Sequence, residues 1–153
     1  MPELRDNPYS NFNFIVSLGG DQGSGDLGSI VGGFSDVSGL GMEVKYAEYR
    51  NGNEKVSTVR KIPGTHTNDD VTLKRGLIGS DDLKVWLNTV RDGTADARTV
   101  TVSLLDEARE TVCTWTLRRA QPKKWTGPTL GAKGGGDVAM EELVLVHEGI
   151  EYT

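Results

Sequence analysis

The sequence predicts a domain made almost wholly of β-strands, with one α-helix. Three observations lead there. Apolar and polar residues alternate at period two through most of the chain, the pattern of half-buried strands. A helical period occurs in one place, where Leu83, Trp86, Leu87 and Val90 fall at i, i+3, i+4 and i+7. The 153 residues include 20 glycines but only 36% hydrophobic residues. That balance suits many turns between short strands, or a subunit that relies on neighbours to complete its burial.

The helix and the strand before it are the best-defined stretch. Val71 and Leu73 alternate with Thr72 and Lys74, then Gly76 and Gly79 bracket a turn. Ser80 is suited to cap a helix, and Asp81 and Asp82 place negative charge at the positive end of its dipole. Arg91 falls in the last turn, and Gly93 can take the left-handed position that ends it. A helix is therefore expected over about residues 80–91, its Trp86 stripe plugging one side of the β core.

In chain order, residues 1–10 are polar, hold two prolines and read as an arm. Residues 12–18 form a first strand, with Phe12, Phe14, Val16 and Leu18 on one face. Residues 19–28 are a glycine-rich loop. Residues 29–37 return as a strand broken by Gly32 and Gly33, and 38–41 turn. Residues 42–50 form a longer strand with two mixed faces. Asn51-Gly52 signals a tight hairpin, 56–62 is its return strand, and Pro63-Gly64 ends it. Beyond the helix, 98–105 and 111–119 form a hairpin around 106–110. Val100, Val102 and Leu104 make one apolar face, matched by Cys113, Trp115 and Leu117. Residues 121–130 contain Pro122 and Pro128, which suits an edge strand or an ordered crossing loop. Residues 134–136 turn, and 138–147 form the last strand. There is no internal repeat and no boundary, so residues 1–153 are read as a single domain.

The sequence spells no recognisable catalytic or metal-binding motif. The net charge of −5 argues against phosphate binding as the main task. Lys74, Arg75, Lys123 and Lys124, with Arg118 and Arg119, are better read as solvated faces or inter-subunit ion pairs than as a nucleic-acid patch. Gly23, Gly25 and Gly28 spell G-x-G-x-x-G, but no helical period follows to carry a pyrophosphate. His66, Asp69 and Asp70 have no recognised metal spacing, and His147 reads as a surface histidine. Cys113 shares an apolar face with Trp115 and Leu117 and reads as a buried thiol. A lone cysteine excludes an internal disulfide. No G-x-S-x-G elbow occurs. The expectation is no catalysis, no cofactor and no metal. With no apolar run in the first ten residues and none of membrane-spanning length, a soluble chain made in the cytoplasm is expected.

The segments NPYSNFNFIV, GFSDVSGLGMEVKYAEYRNGN, RKIPG, VTLKRGLIGSDDLKVWL, KWTGPTL and EELVLVHEGIE follow one another through the chain. Together they resemble the inner tube protein of phage-like contractile injection systems, over residues 8–151. That family is similar in fold to contractile phage tail tube proteins and to the secreted ring protein of type VI secretion. The 19–28 loop looks longer than is usual there. The resemblance implies a β-sandwich or small barrel of antiparallel strands with one flanking helix. It implies hexameric rings stacked head-to-tail into a hollow tube inside a contractile sheath. Baseplate and terminal cap proteins would close the ends, and cargo or a tape-measure protein would fill the lumen. The particle would be assembled in the cytoplasm, and its tube driven through a target envelope when the sheath contracts. The competing reading is a stand-alone β-barrel that binds a small ligand or carbohydrate.

Two sets of residues are expected to carry the assembly. Tyr46 and Tyr49 flank the polar tip Arg50, Asn51, Gly52, Asn53 and Glu54, and aromatic residues beside charges are the composition of a contact patch. Thr99, Thr101 and Ser103 oppose the face of Val100 and Val102, and Thr114 and Thr116 oppose that of Cys113 and Trp115. These hydroxyl rows are expected to face the lumen, with the valine–tryptophan side packed against the helix stripe.

Overall fold

A strand of 16 residues carries the architecture, because it belongs to two sheets in turn. The computed structural model describes residues 4–19, 30–77 and 82–153. In chain order the strands are β1 (Phe14–Leu18), β2 (Ile30–Gly32), β3 (Asp36–Ser38), β4 (Met42–Tyr49), β5 (Arg60–Asn68) and β6 (Val71–Gly76). Helix α1 (Asp82–Arg91) follows, then β7 (Arg98–Leu105), β8 (Thr111–Thr126), β9 (Met140–Val146) and β10 (Gly149–Tyr152). Most of the 19–28 loop, the capping Ser80 and Asp81, and the side chain of Asp82 lie outside the described residues.

The first half of β8 pairs with β7 on one side and β10 on the other, and β7 continues to β1 and β2. Its second half pairs with β9, which continues to β6 and β3. Every one of these pairings is antiparallel. The transfer occurs at a bulge. Arg98 faces Ala120 while Val100 faces Leu117, so Arg118 and Arg119 together oppose Thr99. Arg119 adopts φ 48°, the bend that extra residue requires. Val16, Leu18, Val100, Val102 and Leu117 from the first sheet meet Val71, Leu73, Leu143 and Leu145 from the second in one core. The mainly β, antiparallel fold with one helix agrees with the expectation.

Helix α1 closes this core with the expected stripe. Leu83 and Trp86 are buried, and Leu87 and Val90 half-buried. The Trp86 indole N–H donates to the Asp96 carbonyl at 2.8 Å, and the Arg98 guanidinium lies 4.7 Å above its ring. Gly93, at φ 97°, donates to the Val90 carbonyl while Thr94 donates to that of Thr89. Those two bonds are the Schellman ending that the glycine predicts.

The structure corrects four strand and turn expectations. Where one strand is expected over 29–37, β2 and β3 are two short strands that fall at opposite ends of the strand order. The return strand after the hairpin is β5, from Arg60, and it runs through Pro63-Gly64 instead of stopping there. It can do so because a bulge sits at that point: Val44 faces His66 but Tyr46 faces Pro63. Asn51-Gly52 does not form a two-residue turn. The Glu54 N–H donates to the Asn51 carbonyl at 3.1 Å within a connection from residue 50 to residue 59. Residues 121–126 continue β8 and pair with β9 on one side, in keeping with the expected edge strand, with Pro122 buried beside a second bulge at Lys123. The chain past His147 forms a further strand, β10.

Candidate functional site

Among the described residues β4 and β5 pair only with each other, in a ribbon apart from the other strands. All eight residues of β4 are exposed, and in β5 only Asn68 is not. Pairing puts Met42, Val44 and Tyr46 on one face with Asn68, His66 and Pro63 opposite. Ala47 and Tyr49 lie on the other face, opposite Ile62 and Arg60. An isolated two-stranded ribbon is marginal in water, and this one leaves Met42, Val44, Tyr46, Tyr49 and Ile62 uncovered.

The base of the ribbon is fixed to the body. The Asp69 N–H donates to the Gly41 carbonyl at 3.1 Å, and the Lys123 ammonium lies 2.7 Å from the Asp70 carboxylate. His147 is half-buried rather than on the open surface: its Nε2 lies 2.9 Å from the Asp69 carbonyl, and its Nδ1 is buried without a partner. The tip is organised by Arg50, whose guanidinium donates to the carbonyls of Val56 at 3.1 Å and Glu54 at 2.8 Å. The Tyr49 hydroxyl bonds Asn51, and the Asn51 amide donates to Glu54 at 3.2 Å. The expected assembly residues Tyr46, Tyr49, Arg50, Asn51, Gly52, Asn53 and Glu54 thus form one ordered projection.

The hydroxyl residues also come together. Thr101 faces Thr116, and Ser103 faces Thr114, with Ser17 and Ile15 extending the rows on β1. Thr99 is exposed and the other four are half-buried, while Val100, Val102, Cys113 and Leu117 on the reverse face are buried. Period two puts every second residue on the same side, so a Thr/Ser row behind a Val row needs no other cause. Cys113 Sγ lies 3.3 Å from the Tyr152 hydroxyl, a contact that raises the phenol's pKa.

The basic residues do not form a patch. Lys123 is paired with Asp70, Arg119 with Glu148 at 3.1 Å, and Arg118 with Glu151. The bulge leaves Arg118 and Arg119 both exposed, where an unbroken strand would have turned them to opposite faces. Arg75 is buried against Glu141, whose other oxygen accepts from the Trp125 indole at 3.2 Å. Sequence reading missed this pair, although parity carries the signal: Arg75 continues the inward row of Val71 and Leu73, and Glu141 that of Leu143 and Leu145. Also missed was a groove of about 790 Å³ beneath residues 127–139, bordered by Asp36 and Lys74. Among the described residues no three His, Cys, Asp or Glu side chains converge as a metal site would require, and no helix is long and apolar enough to cross a membrane.

Residues 10–151 match the family described as T4-like virus tail tube protein gp19. None of the curated proteins matches. The chain is similar to one in the extended sheath–tube complex of the extracellular contractile injection system PVC, at 29% identity and a TM-score of 0.80. That alignment covers 97% of this chain and 93% of the other. A chain of the anti-feeding prophage baseplate superposes at a TM-score of 0.86 with 22% identity, over 97% of both. Hcp1 from Flavobacterium johnsoniae shares the fold more distantly, at a TM-score of 0.51 and 13% identity over 90% of this chain and 94% of its own.

Proposed function

The chain belongs to the T4-like virus tail tube protein gp19 family, and from that premise we propose how its surfaces build a tube. The protein is a structural subunit of the inner tube of a contractile injection system, part of an extracellular phage-tail-like particle. Its assembly partners are further tube subunits, a sheath, a baseplate and a cap. Hexameric rings stack head-to-tail in this reading, assembly takes place in the cytoplasm, and cargo or a tape-measure protein occupies the lumen.

One observation carries the reading beyond family membership: among the described residues the β4–β5 ribbon pairs with no further strand of its own subunit and is almost wholly exposed. Neighbouring copies would cover it. If β4, β5, β7 and β8 of each subunit enter a shared barrel, a hexamer closes about 24 strands. At roughly 4.8 Å per strand and a tilt near 40°, the backbone diameter is on the order of 45–50 Å, leaving a channel of roughly 35–40 Å. Thr99, Thr101, Ser103, Thr114 and Thr116 would line it. Neutral hydroxyls suit a wall that must not hold its cargo. The charges beside them, Arg118 and Glu151, already neutralise each other.

Negative-stain microscopy of the purified protein tests this directly. Rings or tubes are expected. A monodisperse monomer that binds a glycan would instead favour the stand-alone barrel.

A further inference from the structure

The ribbon tip and the groove beneath residues 127–139 are complementary in charge and in apolar content. The tip from Arg50 to Arg60 carries three cations, Arg50, Lys55 and Arg60, against the single carboxylate of Glu54. Around the groove stand Asp36, Asp137 and Glu142 against Lys74 and Lys133, with Glu141 already neutralised by buried Arg75. Each surface also presents uncovered apolar side chains. Val56 on the tip is 66% exposed, while Leu130 and Val138 at the groove are 82% and 73% exposed. About 790 Å³ admits the side chains of a loop but not a whole ribbon. The tip is already shaped for insertion, since Arg50 holds the carbonyls of Glu54 and Val56, so little ordering cost remains on docking.

Position decides between docking within a subunit and docking between subunits. The ribbon joins β6 at Asp69–Asp70, before its first residue, whereas the groove lies toward the far end of β6, where Gly76 faces Met140. The ribbon's base and the groove thus lie at opposite ends of β6. A contact between two such different surfaces of neighbouring copies is heterologous, so it can repeat from copy to copy as a ring or as an open stack. We propose that the tip of one copy's ribbon docks in the groove beneath residues 127–139 of the next copy, with Val56 against Leu130 and Val138 and with Lys55 facing Asp137. This rests on the tube reading and gives it a specific stacking contact.

The test mixes two chains, both carrying Cys113→Ser, one with Val56→Cys and the other with Leu130→Cys. After co-assembly a short bis-maleimide is added. The expected result is covalent dimer from the mixture at least tenfold above the covalent dimer formed by either chain alone. Assembled tubes without that excess would overturn the docking while leaving the tube reading intact. Failure of the unsubstituted chain to form rings or tubes would overturn the tube reading itself. A charge exchange covers the case in which the cysteine chains do not assemble. Lys55→Glu and Asp137→Lys should each cut sedimentable tube at least tenfold, and the double variant should restore it. Failure of that rescue, in variants whose circular dichroism matches the parent's, would also overturn the proposal.

Discussion

Arg75 and Glu141 form a buried ion pair between β6 and β9, each side chain less than 5% exposed. Taking two charges out of water is costly, so the pair makes a weak case for added stability. Removing one partner, though, leaves an uncompensated charge in the core. Glu141 also accepts from Trp125 on β8, so one carboxylate ties three adjacent strands together. Arg75→Met or Glu141→Leu alone should therefore destabilise the subunit by about 3–5 kcal/mol in urea unfolding, and the double replacement by much less than the sum. Additive losses would show that the two residues act independently.

Two glycines at positive φ separate backbone strain from steric exclusion. At Gly93, φ 97°, a Cβ meets nothing within 4 Å, so Gly93→Ala should cost about 1–2 kcal/mol for the left-handed conformation alone. At Gly39, φ 87°, a Cβ would sit 2.1 Å from the Asp70 carbonyl oxygen. Gly39→Ala must move the backbone where the ribbon leaves the body, and should cost clearly more than Gly93→Ala in the same unfolding assay.

The N-terminal arm is fastened by a fork of hydrogen bonds from Arg5 to Glu107, at 3.2 Å on each side, with Arg5 also 4.7 Å above the Tyr9 ring. The Arg5 hydrogen bonds hold the Glu107 pKa below its ordinary value. A depressed carboxylate contributes while the pH stays above its unfolded pKa, and the contribution is lost as pH falls through the folded one. The arm should therefore release on acidification, more readily in high salt. Tyr9 ring resonances followed by NMR should shift on acidification, and Glu107→Gln should show the released position at neutral pH. Unchanged Tyr9 signals in that variant would contradict the tether.

For the ribbon, Tyr49→Ala removes an exposed aromatic ring and a bond to Asn51 without touching the core. Tubes should shorten or vanish in micrographs while the monomer's melting temperature stays within a few degrees. Arg50→Glu should act more strongly, because it also releases the carbonyls that shape the tip. Tubes of normal length from both variants would remove the ribbon from the assembly.

The hydroxyl rows can be located by labelling. Cysteines at Thr101 and Thr116, introduced with Cys113→Ser, should react with a bulky maleimide far more slowly in intact tubes than in dissociated subunits. Equal rates would place the rows on the outside, toward the sheath.

Faces and the helix were legible in the sequence because both depend on short-range period. Alternation marks Val16 and Leu18, Val100 and Val102, and Leu143 and Leu145 as inward wherever their strands pair. The Leu83–Trp86 stripe and Gly93 likewise specify a helix and its end locally. The hydroxyl rows follow from the same alternation, and the family was legible from motifs spread through the chain.

Tertiary structure alone decided where strands change partners. The bulge at Arg118–Arg119 lets β8 serve two sheets, and the one at Gly64–Thr65 carries β5 past an apparent stop. β10 is a strand because β8 offers it an open edge. Such choices depend on hydrogen bonds to distant residues, which no local pattern encodes. Parity puts Arg75 and Glu141 on inward rows, but only the register of β6 against β9 brings the two together as a pair. Among the described residues the same long-range pairing leaves β4 and β5 with only each other, so composition marked the Tyr46–Glu54 patch but the fold decided that the whole ribbon stands uncovered.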